Sequence, residues 1–461
     1  MQITFWGYGA GERGREIKIW IGDLPTLQRG NETQDHPVKP KSIPALSGMT
    51  GRFEHLDGLR GIAALVVIMC HGLNTFDLAL ETGDPGSSHF HGDIWLSGAP
   101  FQPQIAAHLA VCLFFVMSGF VLIGAYDSAR IGIIPLLVKR YARLAIPVTC
   151  ACIFSFLLLD AGLMANHQVA GITRSAWLGE QFQQTPSFLA AFQEGAWGTF
   201  VHASNVSKTY DSSLWTMQIE LAGSIGILLT CCAVKRLTST VRTRKTAYIV
   251  LFSALCLSLS ESYLGLFSAG ALIRYALPVG YRPLNNRPKL AMALFIFGMF
   301  LGTVPVSQAS WQIFHIFPNL WVPRWMPWPA PGALFWHMIG AVLMVVVLQS
   351  SPPIQDFLKL RLCQWLGAIS FPLYLIHIPI LMSLGSHIFL AGTAVGLPYM
   401  LSAATALVIF ASGALLSAHI FTLIIERQAI RFSGHIARIM QSFLAVARQN
   451  LTARVSAAIR P

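Results

Sequence analysis

An arginine and a histidine eleven residues apart, Arg60 and His71, stand in the stretch LDGLRGIAALVVIMCHG, which turns from polar to apolar at Ile62. Eleven residues of α-helix make almost three whole turns, so both side chains project from one face. They sit about 16 Å apart at ~1.5 Å per residue. With Arg60 at the cytoplasmic surface, His71 falls near the middle of the bilayer. A histidine there is expensive and points to function by default. If neutral, it can take a proton as a general base. Ala64 and Val67 lie between the two and are expected to leave a slot for a narrow ligand. Asp57, just before the apolar run, is read as an N-cap. The bland alternatives are an interfacial anchor for Arg60 and a core histidine bonded to a neighbouring helix for His71.

Three further segments place polar chemistry in apolar surroundings. In VKRYARLAIP, Arg140 and Arg143 share a helical face at i,i+3. Paired arginines grip phosphate bidentately. In SLWTMQIELAG, Glu220 lies about two turns inside an apolar run and follows Trp215. A carboxylate there needs a partner; His71, an arginine and an acceptor hydroxyl all qualify. In SFPLYLIHIP, Tyr374 and His377 stand between Pro372 and Pro379, which suggests a kinked helix beside a cavity, and His377 is read first as a structural hydrogen-bond donor. Cys70 and Ser118 are possible nucleophiles with no mark of activation beside them. No cysteine or histidine spacing suits a metal.

The elements that carry these residues follow from composition. Hydrophobic residues make up 54% and charged residues 11%, against about 25% charged in soluble domains. Apolar runs of roughly 17–25 residues match a bilayer core. The expected fold is an all-α polytopic membrane protein with ten spans, near 59–76, 106–126, 144–163, 214–234, 246–260, 262–278, 289–305, 333–350, 365–384 and 398–426. Alternate loops on one side hold 21 Lys and Arg, and those on the other hold 3. The positive-inside rule then puts both termini in the cytoplasm. The net charge of +12 follows from that arrangement and requires no nucleic-acid partner. None of the eight cysteines falls in an outer loop, so no structural disulfide is expected.

Three domains are expected. Residues 1–50 read as a disordered cytoplasmic extension, with Met49 an alternative start. Residues 51–430 form the transmembrane domain. Residues 431–461 form a basic amphipathic tail on anionic lipid. The outer loop 164–213, with Trp177, Trp197, His202 and Tyr210, and the tryptophan-rich loop 303–333 suit either an interfacial belt or a stacking platform for an acceptor.

The five segments LDGLRGIAALVVIMCH, LFFVMSGFVL, RYAR, LWTMQIE and FPLYLIH, in this order, resemble acyltransferase family 3, the multi-span O-acyltransferases that modify bacterial surface polysaccharides and related acceptors. The resemblance covers about residues 53–430. It implies transfer of an acyl group, expected to be acetyl, from cytoplasmic acyl-CoA to a hydroxyl of a carbohydrate or lipid-linked acceptor at or beyond a bacterial inner membrane. By position it implies His71 as the essential histidine, Glu220 as the acidic partner, and Arg60, Arg140 and Arg143 as donor-binding arginines. Trp215, Tyr374 and His377 are expected at the acceptor. Acyl-CoA is then a substrate; no resident cofactor and no metal are expected. One departure is IELAGS, where many relatives continue with an aromatic-rich stretch. The competing reading is a proton-coupled transporter with His71 and Glu220 as its relay, against which stands the lack of an internal repeat.

Overall fold

The structure, a computed structural model, describes residues 53–458 apart from His91, Arg130 and residues 203–206, 260–261, 278–281 and 306–330. The expected extension 1–50 and nearly all of loop 303–333 lie outside these residues. The described residues form helices and no strand.

Three long helices open the bundle: α1 (Glu54–Phe76), α2 (Pro103–Ser128) and α3 (Ile133–Asp160). Short helices follow, among them α4 (Asn166–Thr173), α5 (Ala176–Gly179) and α6 (Phe188–Gln193). The remainder comprises α7 (Trp215–Leu237), α8 (Val241–Ser258), α9 (Leu264–Ala276), α10 (Pro288–Leu301), α11 (Pro331–Ser350), α12 (Arg361–Ile380), α13 (Ser386–Ala394), α14 (Tyr399–Phe421) and α15 (Arg427–Ala458).

Each of the ten expected spans falls on a helix, but the helices are unequal. Seven helical stretches among the described residues are long and apolar enough to cross a bilayer. The expected spans 262–278 and 289–305 become α9 and α10, of 13 and 14 residues. These reach only about 20 and 21 Å at ~1.5 Å per residue. The expected span 246–260 lies in α8, whose first turns carry Arg242, Arg244 and Lys245. The chain is an integral membrane protein with an all-helical bundle.

Several local expectations change. Helix α1 begins at Glu54 with Phe53 at its N-cap. Asp57 is therefore inside the helix, where it pairs with Arg60 at 3.7 Å. Arg274, counted as a loop charge, lies within α9 and is 2% exposed. Its guanidinium sits 4.5 Å from the ring centre of Phe53 and 5.0 Å from that of Phe120, a cation–π arrangement. Helix α12 runs through Pro372 and ends just past Pro379, where a π-turn over Leu381–Gly385 follows it. A second π-turn, Thr422–Glu426, joins α14 to α15. The tail is thus continuous with the last apolar helix. Its first turns bury Ala429, Ser433 and Ala437, and α15 packs on α3.

Helix α1 lies between α12 and α2. Its contact with α12 fixes the register of the site. A Cβ on Gly61 would lie 2.4 Å from the backbone nitrogen of Gly367, and one on Gly367 would lie 2.3 Å from the carbonyl oxygen of Asp57. Only glycine permits that approach, as small residues do at membrane helix interfaces. Ten residues on from these glycines stand His71 and His377, and their rings meet.

Candidate active site

Site residues gather in two neighbouring places. The first is a cavity of about 570 Å³ whose walls come from α1, α2, α3, α7 and α12. One end carries the cations Arg60, Lys139, Arg140 and Arg143, with Glu426 among them. The other end reaches Phe114, Thr216 and Tyr374. Most of the remaining wall is aliphatic or aromatic, from residues such as Val111, Leu122, Leu144, Met217 and Phe371. A long apolar channel with a basic mouth suits a ligand that is phosphate-rich at one end and slender at the other.

Glu220 belongs to this cavity. It accepts hydrogen bonds from the Arg140 guanidinium and, at 2.8 Å, from the hydroxyl of Ser118. Arg140 Nε donates to Ser224 Oγ at 3.0 Å. Of the three partners open to Glu220, the fold supplies an arginine, and no hydrogen bond joins Glu220 to His71. The reason is reach: Arg140 lies two turns into α3 and its long side chain crosses to α7, leaving no isolated charge. Sequence reasoning missed Lys139, Thr216 and Glu426. Glu426 had a signal, as a lone carboxylate at the end of the last apolar run.

The second place is one helical turn beyond Tyr374. His377 is fully buried, and its Nδ1 lies 2.8 Å from the carbonyl oxygen of Tyr374 and 3.2 Å from that of Leu373. Carbonyl oxygens only accept, so His377 carries its proton on Nδ1 and presents a lone pair at Nε2. His71 Nδ1 lies 2.8 Å from that Nε2 and must be the donor. The tautomers are thereby assigned in series from a backbone carbonyl, and the lone pair of His71 is at Nε2. Two neutral imidazoles achieve here what an Asp–His pair does elsewhere: the outer group fixes the tautomer of the inner one. His71 remains half-buried, and Trp177 of α5 lies parallel to it, with ring centres 5.3 Å apart and planes 2° apart.

Ala64 and Val67 do not form a slot. They are 1% and 2% exposed and packed into the core. The open cavity runs beside α1 as far as Tyr374, whose ring centre is 5.9 Å from that of His377; neither His377 nor His71 is among its wall residues. The Tyr374 hydroxyl donates to the carbonyl oxygen of Ser213 at 2.6 Å and lies 2.8 Å from Thr216 Oγ1. Trp215 packs on Tyr263 with ring centres 5.6 Å apart and is not among the residues of the channel wall. Cys70 is buried.

Beyond His71, the last turn of α1 leads into polar groups. Asn74 Nδ2 donates to Glu81, and burial holds the Glu81 carboxyl above its ordinary range while that bond opposes the shift. Ser175 Oγ donates to the carbonyl oxygen of Asn74 at 2.9 Å. Among the described residues, no group of three or more His, Cys, Asp or Glu is placed to hold a metal ion.

Comparison with known proteins places this geometry. The family model described as acyltransferase domain (acyltransferase family 3) matches residues 53–419. An O-acetyltransferase of Phomopsis amygdali, PaAT-1, is 25% identical over 369 residues, 72% of this chain and 72% of its own. The acyltransferase clz18 of Cochliobolus lunatus is 24% identical over 420 residues, 76% of this chain and 86% of its own. The acyltransferase R4 of a Phoma species is 23% identical over 405 residues, 73% of this chain and 84% of its own. All three relatives are fungal. No solved structure matches. A family match that runs from the start of α1 nearly to the end of α14 and takes in both the basic channel and the histidine pair makes this chain a member of acyltransferase family 3, and a membrane-embedded O-acyltransferase.

Proposed function

We propose that the protein moves an acyl group, acetyl in the first instance, from acyl-CoA to a hydroxyl of a carbohydrate or lipid-linked acceptor. One observation carries this reading. A cavity lined by four cations reaches Tyr374, whose ring lies 5.9 Å from His377, and His377 fixes the tautomer of a histidine that keeps a lone pair at Nε2. CoA carries phosphates at one end and a slender pantetheine arm at the other. The phosphates suit Arg60, Lys139 and Arg143, and the arm suits the apolar wall. Glu220 then holds Arg140 in place instead of serving as the third member of a triad.

In the reaction, the acceptor oxygen bonds to the thioester carbonyl carbon while its proton passes to His71 Nε2. The C–S bond breaks, and the leaving thiolate takes that proton from Nε2, which returns His71 to its neutral form. The charge developing on His71 is spread to His377 through their hydrogen bond. Acetyl is favoured by the O-acetyltransferase among the relatives. The basic end of the channel is read as cytoplasmic, in keeping with the loop charges.

The test is a comparison of His71→Ala and Arg143→Ala at matched protein levels. His71→Ala is expected to lose nearly all transfer, since base catalysis contributes roughly 10²–10⁴-fold, and to keep acetyl-CoA binding. Arg143→Ala is expected to weaken acetyl-CoA binding about tenfold, the loss of one charge-assisted bond. Transfer above about a tenth of wild type in His71→Ala sinks the base assignment, and unchanged binding in Arg143→Ala sinks the donor assignment.

A further inference from the structure

Trp177 stands in a segment that sequence reading assigned to an outer loop, yet its indole lies parallel to the imidazole of His71, with ring centres 5.3 Å apart. The placement is built from several independent contacts. Ser175 begins helix α5: its hydroxyl donates to the carbonyl oxygen of Asn74, one turn past His71, and accepts from Leu178 N at 3.4 Å. Asn166 Nδ2 donates to the carbonyl oxygens of Leu178 and Gln181 at 3.1 and 3.0 Å. Gln181 Nε2 donates to the carbonyl oxygen of Trp177 at 3.1 Å. Ser175, Asn166 and Gln181 are each at most 1% exposed. A turn of helix held by buried polar side chains on both flanks has one orientation, and that orientation puts the aromatic face on His71.

We propose that Trp177 is a positioning residue for acyl transfer. The indole confines the imidazole to the plane in which Nδ1 meets His377, so Nε2 keeps a fixed direction. It also presents a π face to the positive charge that His71 acquires when it takes the acceptor's proton. A cation over an aromatic face is stabilised most where water is excluded. The same face shields one side of the imidazole from water, which competes with the acceptor for the thioester. This rests on His71 being the base. Water attack forms the carboxylic acid and free CoA, with the same proton passing to Nε2, so poor shielding appears as hydrolysis without transfer.

The experiment compares Trp177→Phe, Trp177→Leu and Trp177→Ala with wild type and His71→Ala. Transfer is read by mass spectrometry as the acylated product that cells make with the wild-type gene and lack without it. Acetyl-CoA binding and hydrolysis are read on purified protein in nanodiscs. Phenylalanine keeps a π face and is expected to retain product within about threefold. Leucine keeps apolar bulk without the face, and alanine keeps neither, so both are expected to lose product at least tenfold at unchanged acetyl-CoA binding. The ratio of hydrolysis to transfer is expected to rise in Trp177→Ala. Leucine equal to phenylalanine, phenylalanine as poor as alanine, or lost acetyl-CoA binding in all three each overturns the inference. Full product formation in His71→Ala overturns the base reading beneath it, a result separate from any of these.

Discussion

At the scale of single residues, the fold turns isolated polar groups into pairs. Glu220 is paired with Arg140, His71 with a second imidazole through a hydrogen bond, and Arg274 lies against two aromatic faces. Asp77, the C-cap of α1, is an exception. It is 6% exposed, and burial, reinforced by the Asp93 carboxylate, pushes its carboxyl up to about 6 against partial opposition from the amides of Leu80 and Ala79. A raised carboxyl in the folded state means that ionisation works against the fold. Its destabilising contribution is absent below the unfolded value of about 3.9, grows as pH rises toward 6, and is complete above it. Asp77→Asn is therefore expected to raise the melting temperature by a few degrees at pH 7.5 and to change it little at pH 4. Equal effects at both pH values would show that the side chain acts through packing and not through its charge.

At the scale of elements, two arrangements do most to place the site. The contact of Gly61 with Gly367 sets α1 against α12 so that the two histidines meet. Gly61→Ala puts a methyl group where 2.4 Å is available, so the helices must separate. A misplacement near 1 Å costs about 10² in rate, and transfer by this variant is expected to fall to that extent at normal protein levels. A rate within threefold of wild type would remove the register argument. The second arrangement is the run from α6 through a π-turn over Glu194–Gly198, which lies along α3. The Tyr141 hydroxyl donates to the carbonyl oxygen of Ala196, and a Cβ on Gly195 would touch Thr149. Tyr141 precedes Asp160, the end of α3, by nineteen residues, about 28 Å at ~1.5 Å per residue. Phe188, Leu189 and Val201 are 54%, 62% and 63% exposed. This run therefore reads as a re-entrant, lipid-facing element and not as an aqueous loop. A nitroxide at Leu189→Cys is expected to relax more with oxygen than with a water-soluble nickel chelate. The opposite ranking would return the segment to the aqueous phase.

At the scale of the whole molecule, the ends of distant helices share one cavity. Arg60 near the start of α1, Arg140 near the start of α3 and Glu426 just past α14 all line it. The chain thus enters α1 and leaves α14 on the same side, which an odd number of crossings between them forbids. Seven stretches among the described residues are long and apolar enough to cross, so an odd number of further crossings is expected from shorter helices such as α8, α9 and α10. Single cysteines at the exposed positions Pro85 and Thr243 in a cysteine-free background test the orientation. Pro85→Cys is expected to label from outside intact cells and Thr243→Cys only after permeabilisation. Strong outside labelling of Thr243→Cys would invert the molecule and place the basic mouth of the channel away from cytoplasmic acyl-CoA.

Membrane residence, the positions of the helices and the identity of Arg60, His71, Arg140, Arg143 and Glu220 as outstanding polar residues were legible without coordinates. Each is a local property: apolar run length, charge per loop, or one ionisable group in an apolar stretch. Partnership was not legible. His71 and His377 are 306 residues apart, and whether they meet depends on the register of α1 against α12, which two glycines set. Arg140 and Glu220 are 80 residues apart, and their pairing diverts the carboxylate from the histidine where sequence reading had allowed it to stand. Trp177 looked like an interfacial tryptophan because its own neighbourhood is that of a loop; only the folding of that loop back over α1 lays it on the imidazole. A helix's rotation and its neighbours' heights are decided by packing between segments distant in the chain, and that information has no local signature.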